Sequence, residues 1–261
     1  RALAAAGVDP EELDIIILGT SSPDRNYPSD ACSVQAAIGA VNAVAFDISA
    51  ACAGFIFAMN IVEGFFKAGI YKMALIIGAE TLSKVTDWSD RGTCVLFGDG
   101  AGAAVLKAEE TGIIDMMMGA DGTKGDVLAC TSRTVGNFLT GTKPELGFMT
   151  MDGQEVFKFA VRKVPESVME LLQRTGTKKE DIKYYVLHQA NERIIEAAAR
   201  RLKEPMEKFP MTIGQFGNTS TASIPLLLDD MIQKDMLKRG DKIIMSGFGA
   251  GMTWGAVLME W

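Results

Sequence analysis

Short, continuous apolar runs recur along the chain and predict β-strands that are buried on both faces. These runs lie at Ile15–Leu18, Tyr71–Ile77, Lys183–Leu187 and Lys242–Met245, with a last one over residues 256–261. Segments with helical periodicity alternate with them, at about 30–38, 53–66, 155–174, 192–203 and 225–237. Strands that alternate with helices predict an α/β fold in which helices cover mixed sheets.

The chain also repeats itself at a long period. The segment that begins at Asp14 is similar to the one at Lys183, 169 positions later (183 − 14), and the segment at Ala74 is similar to the one at Lys242, 168 later (242 − 74). A period of this length indicates two copies of one βαβ-rich half, since solenoid repeats are several times shorter. We predict an N-terminal half over 1–110, a connecting excursion over 111–154 and a C-terminal half over 155–261.

The composition is typical of a globular α/β protein. The 261 residues are 48% apolar and 23% charged, include 27 glycines and carry a formal net charge of −7. This negative charge argues against general nucleic-acid binding. No apolar run reaches the ~18 residues that a membrane span needs, and no stretch resembles a signal peptide. We expect a cytoplasmic protein that does not bind membranes, and we interpret Arg1, which lies in a helix-like segment, as following a truncated N-terminus.

The four cysteines are Cys32, Cys52, Cys94 and Cys130, and the chain has one histidine. No two cysteines form a CxxC pair, and one histidine adds little to a ligand set. The spacing therefore predicts no metal site and favours reduced thiols in a reducing compartment.

The stretch from Asp47 to Phe55, with Cys52 at its centre, is a candidate nucleophile seat. A strand-like run enters it from Val44, and an apolar helix leaves it at about Ala53. At a helix N-terminus the unpaired N–H groups and the positive dipole end favour a thiolate, and small flanking residues admit a substrate carbonyl. The alternative is a free core cysteine, because cysteine is among the most buried residue types. This stretch alone leaves both interpretations open.

The glycines at Gly98, Gly100 and Gly102 superficially suggest a dinucleotide-binding fingerprint. The segment that follows, Ala103–Leu106, is strand-like and not helical, so the geometry that cradles a phosphate is missing. We therefore predict a tight glycine turn between two strands and no nucleotide site.

Two further candidates follow strands or precede helices in the second half. His188 is the only histidine and lies where a predicted strand ends, as catalytic groups in α/β folds often do. Asn218 precedes a predicted helix. Each also has a structural interpretation, as a histidine satisfied by a neighbour and as a helix cap.

Seven ordered motifs resemble those of β-ketoacyl-acyl-carrier-protein synthase III, the initiating condensing enzymes of dissociated fatty-acid synthesis, along the whole chain. They are Asp47-Ile-Ser-Ala-Ala-Cys-Ala-Gly-Phe55, Asp90-Arg-Gly-Thr93, Phe97-Gly-Asp-Gly-Ala-Gly-Ala103, Val156-Phe-Lys158, His188-Gln-Ala-Asn191, Gly217-Asn-Thr-Ser-Thr-Ala-Ser-Ile-Pro225 and Gly247-Phe-Gly-Ala-Gly-Met-Thr-Trp-Gly255. The resemblance implies a thiolase-like fold with two pseudo-repeated halves. Each half would hold a mixed five-stranded sheet, in the layer order α-β-α-β-α.

The resemblance also implies a mechanism. Cys52 would be acylated by an acyl-CoA primer, in the first place acetyl-CoA, with its own N–H and that of Ala250 holding the oxyanion. Malonyl-acyl-carrier protein would follow, and His188 and Asn218 would stabilise the enolate that forms as carbon dioxide leaves. The product would be a 3-oxoacyl-carrier protein. The CoA thioester is a substrate, so no cofactor is expected.

The third polar residue distinguishes related enzymes. Elongating condensing enzymes of this fold use Cys-His-His, thiolases use a second cysteine and hydroxymethylglutaryl-CoA synthases use a glutamate. Plant-type polyketide synthases share Cys-His-Asn and remain an alternative, although Thr253-Trp-Gly255 is similar to the bacterial initiating enzyme. A second alternative is a truncated, non-catalytic member that only binds a partner.

The resemblance implies roles for residues around the site. Arg91 would contact the CoA adenine, and the pantetheine and acyl channel would be lined by Met151, Gly153, Phe157, Ala190, Asn191 and Ile194. Tyr27 would enter the acyl pocket of a partner subunit, which implies a homodimer. Lys158, Arg193, Arg200 and Arg201 are a candidate patch for the acidic carrier protein, with an ordinary solvated helix face as the alternative.

Overall fold

The computed structural model describes residues 1–261, which form seven α-helices and ten β-strands joined by short 3-10 turns and loops. The helices are α1 (Ala2–Ala6), α2 (Asp30–Ile38), α3 (Gly54–Lys67), α4 (Gly153–Thr175), α5 (Glu192–Leu202), α6 (Ile213–Phe216) and α7 (Ser223–Gln233). The strands are β1 (Ile15–Gly19), β2 (Val44–Ile48), β3 (Met73–Glu80), β4 (Gly100–Lys107), β5 (Ile113–Ala120), β6 (Leu128–Cys130), β7 (Met149–Met151), β8 (Ile182–Leu187), β9 (Lys242–Gly249) and β10 (Thr253–Glu260).

Two four-stranded sheets form the centre of the molecule. The first has the order β2-β1-β3-β4 and the second the order β5-β10-β9-β8. In the first sheet, β1 is parallel to β2 and β3, and β4 is antiparallel to β3. Each sheet has four strands where five were expected. Strand β5 lies within the predicted excursion 111–154, so the second sheet begins before residue 155.

The internal repeat is visible in the strands. Strands β1, β3 and β4 are connected in the same way as β8, β9 and β10, with one parallel and one antiparallel pair in each set. Strands β3 and β9 begin 169 positions apart (242 − 73), one more than the sequence similarity gave for this pair. The pairing register gives the same offset for both parallel strands: Ile15 pairs with Ala74 and Tyr184 pairs with Ile243, which are shifted by 169 positions (184 − 15 and 243 − 74).

Three apolar clusters create the predicted layers. Between the sheets, side chains of α3 and α7, such as Phe55 and Leu227, pack with residues of both sheets, such as Ile76 and Ile243. Helix α2 covers the outer face of the first sheet, and α4 and α5 cover the outer face of the second. The layer order α-β-α-β-α is confirmed. No helix is long and apolar enough to cross a membrane.

Local sequence signals explain the boundaries of α2, which match the prediction. Ser29 is the N-cap, where its hydroxyl accepts a hydrogen bond from Cys32 N–H, and Gly39 ends the helix in the left-handed conformation. The carboxylate of Asp47 accepts the N–H groups of Asp30 and Ala31, each at 2.8 Å. Asp47, which begins the Cys52 motif, thus ties β2 to the start of α2.

The glycine-rich segment at residues 98–102 is not a turn between two strands. Residues 94–97 form no strand, and Gly100 and Gly102 already belong to β4. A Cβ atom on Gly102 would lie 2.8 Å from Cβ of Pro225 and 3.0 Å from the backbone nitrogen of Leu226. The alternating glycines therefore let the start of α7 pack directly on β4. The glycine pattern that superficially suggests a phosphate-binding loop therefore allows the two halves to pack closely.

Candidate functional site

Cys52, His188 and Asn218 line one cavity of about 120 Å³ between the two halves. Cys52 comes from the first half, and the other two residues come from the second. All three are buried, with 6%, 2% and 6% of their surface exposed. The convergence depends on the packing of the two halves, because 136 residues separate Cys52 from His188 (188 − 52).

Cys52 lies in a 3-10 turn, Ala51–Ala53, that leads directly into α3. Ala51 has a φ of 47°, the left-handed conformation that residues with a Cβ rarely adopt. Burial raises the pKa of Cys52 to about 12, and a hydrogen bond with the Ser220 side chain acts in the opposite direction. Burial therefore opposes the thiolate that the helix end favours, and Cys52 lies just before α3, as expected.

His188 follows β8, and its backbone N–H donates to the carbonyl of Ser246 at 2.8 Å. Its Nδ1 atom lies 2.7 Å from the hydroxyl oxygen of Ser223. That oxygen also accepts Gln189 N–H at 3.4 Å and keeps a second lone pair, so Ser223 can either donate to Nδ1 or accept from it. In the tautomer with the ring proton on Nε2, Ser223 donates to Nδ1 and Nε2 is a hydrogen-bond donor.

Burial also lowers the pKa of His188 to about 3, so the ring is neutral at pH 7. The edge of the ring contacts Phe248, with 5.4 Å between the ring centroids. Thiol and imidazole are therefore both uncharged in the resting site. Burial of both groups therefore disfavours a preformed thiolate–imidazolium pair.

The side-chain oxygen of Asn218 accepts Ser220 N–H at 2.9 Å. Because this bond requires the amide oxygen, it also fixes the direction of the amide NH₂ group. The backbone of Asn218 is held by Leu96 O at 2.8 Å and by Gly98 N–H at 2.9 Å. The role of Asn218 is therefore not limited to its position before a helix. Its amide NH₂ group is available as a hydrogen-bond donor in the cavity.

Ala250 is half-buried. Its φ is negative, so its backbone is not in the left-handed conformation. Its neighbour Gly249 lies against the nucleophile: a Cβ on Gly249 would approach Cys52 N to 2.5 Å. Only glycine permits this contact. The backbone of residues 249–250 therefore runs beside the N–H of Cys52, as two oxyanion donors require.

The structure brings nine of the predicted residues to the cavity wall. Besides the three central residues, these are Met151, Gly153, Phe157, Ala190, Asn191 and Ile194. Six further wall residues were not predicted from the sequence: Leu96, Phe97, Leu128, Val156, Phe248 and Gly249. Phe97, Val156, Phe248 and Gly249 lie inside the quoted motifs, so membership of a motif was the available signal.

Other predicted residues lie outside the cavity wall. Arg91 is exposed on the loop that leads to Leu96, and Tyr27 is 84% exposed. Lys158, Arg193, Arg200 and Arg201 are all exposed on α4 and α5. No group of three or more His, Cys, Asp or Glu side chains is arranged to hold a metal ion.

The buried neutral histidine predicts a pH dependence of stability. The unfolded chain binds a proton at His188 below pH 6.5, whereas the folded chain does so only near pH 3. Stability should therefore fall as the pH decreases from 6.5 towards 3, by at most about 1.4 kcal/mol per pH unit from this group. Urea unfolding at pH 7.5, 6 and 5 checks this prediction.

The matched variant is His188→Gln, because the chain has no other histidine. Its free energy of unfolding should depend less on pH between 7.5 and 5 than that of the parent. The difference between the two slopes removes the contribution of carboxylates. Equal slopes would contradict the burial of a neutral ring.

Two pseudo-repeated halves, a layered α-β-α-β-α fold and a shared Cys-His-Asn cavity define a thiolase-like condensing enzyme. Residues 46–122 match the family model described as 3-Oxoacyl-[acyl-carrier-protein (ACP)] synthase III, and residues 172–261 match the C-terminal model of that family. The chain belongs to the β-ketoacyl-[acyl-carrier-protein] synthase III family, whose members are acyl-transferring condensing enzymes.

Individual relatives agree with this assignment. The β-ketoacyl-[acyl-carrier-protein] synthase III of Clostridium acetobutylicum is 50% identical over 263 residues, which cover 100% of this chain and 81% of the relative. The Clostridium novyi protein of the same name is 51% identical and covers 99% and 81%. The crystal structure of 3-oxoacyl-[acyl-carrier-protein] synthase III from Aquifex aeolicus VF5 superposes with a TM-score of 0.91 at 46% identity, covering 100% and 81%.

Proposed function

We propose that this protein catalyses the decarboxylating Claisen condensation that initiates fatty-acid synthesis. An acyl-CoA primer, in the first place acetyl-CoA, reacts with malonyl-acyl-carrier protein to give a 3-oxoacyl-carrier protein. The observation that carries the proposal is the cavity shared by Cys52, His188 and Asn218. The match to the synthase III family models favours this reaction over that of a plant-type polyketide synthase.

The first half-reaction transfers the acyl group to Cys52. Cys52 Sγ attacks the thioester carbonyl, the C–S bond to CoA breaks, and the thiol proton ends on the CoA sulfur. Because the resting pKa of Cys52 is raised, the charge that develops on the carbonyl oxygen needs strong stabilisation. The N–H groups of Cys52 and Ala250 supply it, each worth about 3 kcal/mol in comparable sites.

The second half-reaction forms the carbon–carbon bond. The bond from the malonyl carbon to its carboxylate breaks, carbon dioxide leaves, and the electron pair forms an enolate. Nε2–H of His188 and the amide of Asn218 donate to the enolate oxygen. The carbanion then attacks the acyl carbonyl, and Cys52 leaves as a thiolate that takes up a proton.

A turnover assay tests this proposal. The protein is incubated with malonyl-carrier protein and a panel of acetyl-, isobutyryl-, hexanoyl- and octanoyl-CoA, and the products are identified by mass. A 3-oxoacyl-carrier protein two carbons longer than the primer is expected. If the thioesters bind but no product forms, the non-catalytic alternative is correct. We expect no added cofactor to be needed and the reaction to take place in the cytoplasm.

We also propose that the carrier protein docks at the cavity entrance beside α4 and α5. Lys158 and Arg193 are next to cavity-wall residues in the sequence. Arg200 lies about 10 Å further along α5 than Arg193. Lys158 pairs with Glu155 at 2.7 Å and Arg200 with Glu196 at 3.6 Å, which weakens their positive fields. Arg193 and Arg201 have no ion-pair partner, but the Arg201 guanidinium donates to Val161 O at 3.3 Å. Arg193, which is next to the wall residue Ile194, is therefore the principal cation for an acidic partner.

Arg193→Glu should raise the KM for malonyl-carrier protein about thirtyfold, since it replaces an attractive unit charge pair with a repulsive one and each is worth about 1 kcal/mol in water at 4 Å. The KM for acetyl-CoA should stay within twofold. Lys234→Glu on α7 is the control with the same change of charge. A similar KM increase in both variants, or none in Arg193→Glu, would contradict this docking surface.

A homodimer is the third part of the proposal. Strand β2 is the outer strand of the first sheet, and its outer edge is unpaired. The strand is half-exposed, and Val44 and the preceding Val41 expose 49% and 72% of their surfaces. An apolar free edge pairs readily with a second copy about a twofold axis, and the exposed Tyr27 is available to the partner. Sedimentation equilibrium should give twice the 28.0 kDa chain mass, and a monomer would contradict it.

A further inference from the structure

Thr221 occupies the place in the second half that Cys52 occupies in the first. The two residues are 169 positions apart (221 − 52), the offset of the parallel strands. Each is the middle residue of a 3-10 turn before a helix, and the residue before each has left-handed backbone, with φ of 47° at Ala51 and 49° at Ser220. The internal repeat thus places a buried threonine at a second, filled copy of the nucleophile seat.

Glycines of the first half enclose Thr221. A Cβ on Gly19 would lie 2.7 Å from Cγ2 of Thr221, and one on Gly54 would lie 2.9 Å from the same atom. Thr221 has 1% of its surface exposed. Because Gly54 is the first residue of α3, the methyl group of Thr221 lies at the start of the helix that Cys52 precedes. Thr221 therefore connects the second half directly to the nucleophile turn.

The hydroxyl of Thr221 has a single hydrogen and two acceptors within hydrogen-bond distance, the carbonyl oxygen of Ala51 at 2.8 Å and Oε1 of Glu80 at 3.0 Å. The shorter of the two contacts is the one to Ala51. The other carboxylate oxygen of Glu80 accepts Ser21 N–H at 3.0 Å and the hydroxyl of Ser22 at 2.6 Å. Glu80 is itself 5% exposed, so this network is buried and held on several sides.

The carbonyl group that Thr221 contacts belongs to the peptide group that joins Ala51 to Cys52. The C=O of Ala51 and the N–H of Cys52 are the two ends of one planar unit and point in opposite directions. A hydrogen bond at the carbonyl end fixes the orientation of the N–H end and polarises it. Under the proposed function, that N–H holds the oxyanion that forms during acylation.

We propose that Thr221 is a positioning residue for the oxyanion hole, acting through the Ala51–Cys52 peptide group. It touches neither substrate nor the reacting atoms. This inference rests on the proposed acylation of Cys52. It assigns Thr221 a contribution to the stability of the transition state and none to the binding of the primer.

Thr221→Val, which keeps the shape and removes the hydroxyl, tests the inference. The single-turnover rate of Cys52 acetylation by acetyl-CoA should fall about fivefold, the rate effect of one hydrogen bond of ordinary strength. The KM for acetyl-CoA should stay within twofold. Alkylation of Cys52 by iodoacetamide forms no oxyanion, so its rate should also stay within twofold. Thr221→Ser should restore acetylation.

Thr175→Val is the matched control, because the hydroxyl of Thr175 donates to Leu171 O at 2.8 Å at the far end of α4. It should leave the acetylation rate unchanged. An unchanged rate in Thr221→Val, an equal loss of acetylation and alkylation, or no rescue by serine would overturn the inference. If the valine variant does not fold, Thr221→Ala replaces it with the same expectations. Absence of acetylation in the parent would instead reject the proposed function.

Discussion

Cys52→Ala is expected to abolish the transfer of a radiolabelled acetyl group from acetyl-CoA to the protein. Cys52 is the only cysteine in the cavity wall, and the proposed reaction has no other nucleophile. The overall rate should fall roughly 10³-fold or more, as with the loss of a covalent nucleophile in other enzymes. Peptide mapping of the labelled parent should give one labelled peptide, which contains Cys52.

Cys130 supplies the control, because it is the exposed cysteine of the chain. A general thiol reagent should modify Cys130 faster than Cys52, whose burial raises its pKa to about 12. Acetyl-CoA should show the opposite preference if the cavity catalyses the transfer. Cys130→Ala should therefore keep its acetyl label. Labelling that survives in Cys52→Ala would reject the mechanism.

Replacing the enolate donors should separate the two half-reactions. His188→Ala and Asn218→Ala should each lower the rate of malonyl-carrier-protein decarboxylation about 10²- to 10³-fold, the usual cost of removing one oxyanion donor. Acetylation of Cys52 should continue in both variants, since its oxyanion donors are backbone groups. Release of carbon dioxide and acetyl labelling, measured on the same samples, check the separation.

Asn218→Asp is the sharper variant at this position. An aspartate keeps the shape and still accepts Ser220 N–H, but it has no NH₂ donor and brings a negative charge towards the enolate. Its decarboxylation rate should be as low as that of Asn218→Ala or lower. A rate near that of the parent would mean that Asn218 only caps the turn. The double variant His188→Ala/Asn218→Ala should lose less than the product of the single losses, because the two donors act on one oxygen.

Local signals in the sequence were sufficient for most of the elements. The run Ile15–Leu18 is buried throughout, as a continuous apolar stretch predicts, and α2 spans the predicted residues because a serine cap and a glycine stop enclose it. The candidate triad was also accessible, since motifs and internal repeat place Cys52, His188 and Asn218 at element ends. These features depend on neighbours within a few residues or on the type of side chain.

Features that depend on contacts between the halves were predicted less well. The glycines of β4 looked like a turn because their packing partner, the start of α7, lies more than 100 positions later in the chain. The excursion 111–154 contributes β5 to the second sheet through pairing with β10, which is also distant in sequence. The predicted set of cavity-wall residues was incomplete for the same reason.

Cys52 shows most clearly which features the sequence determines and which features depend on the tertiary structure. The sequence alone determined that a cysteine stands at the start of an apolar helix, because strand, small residues and helix are contiguous there. Only the tertiary structure decided its protonation and its surroundings. Burial by the second half raises its pKa to about 12 and opposes the helix dipole, and Thr221 reaches the adjoining peptide group. Desolvation and such contacts depend on the packing of distant segments, which no local pattern of residues specifies.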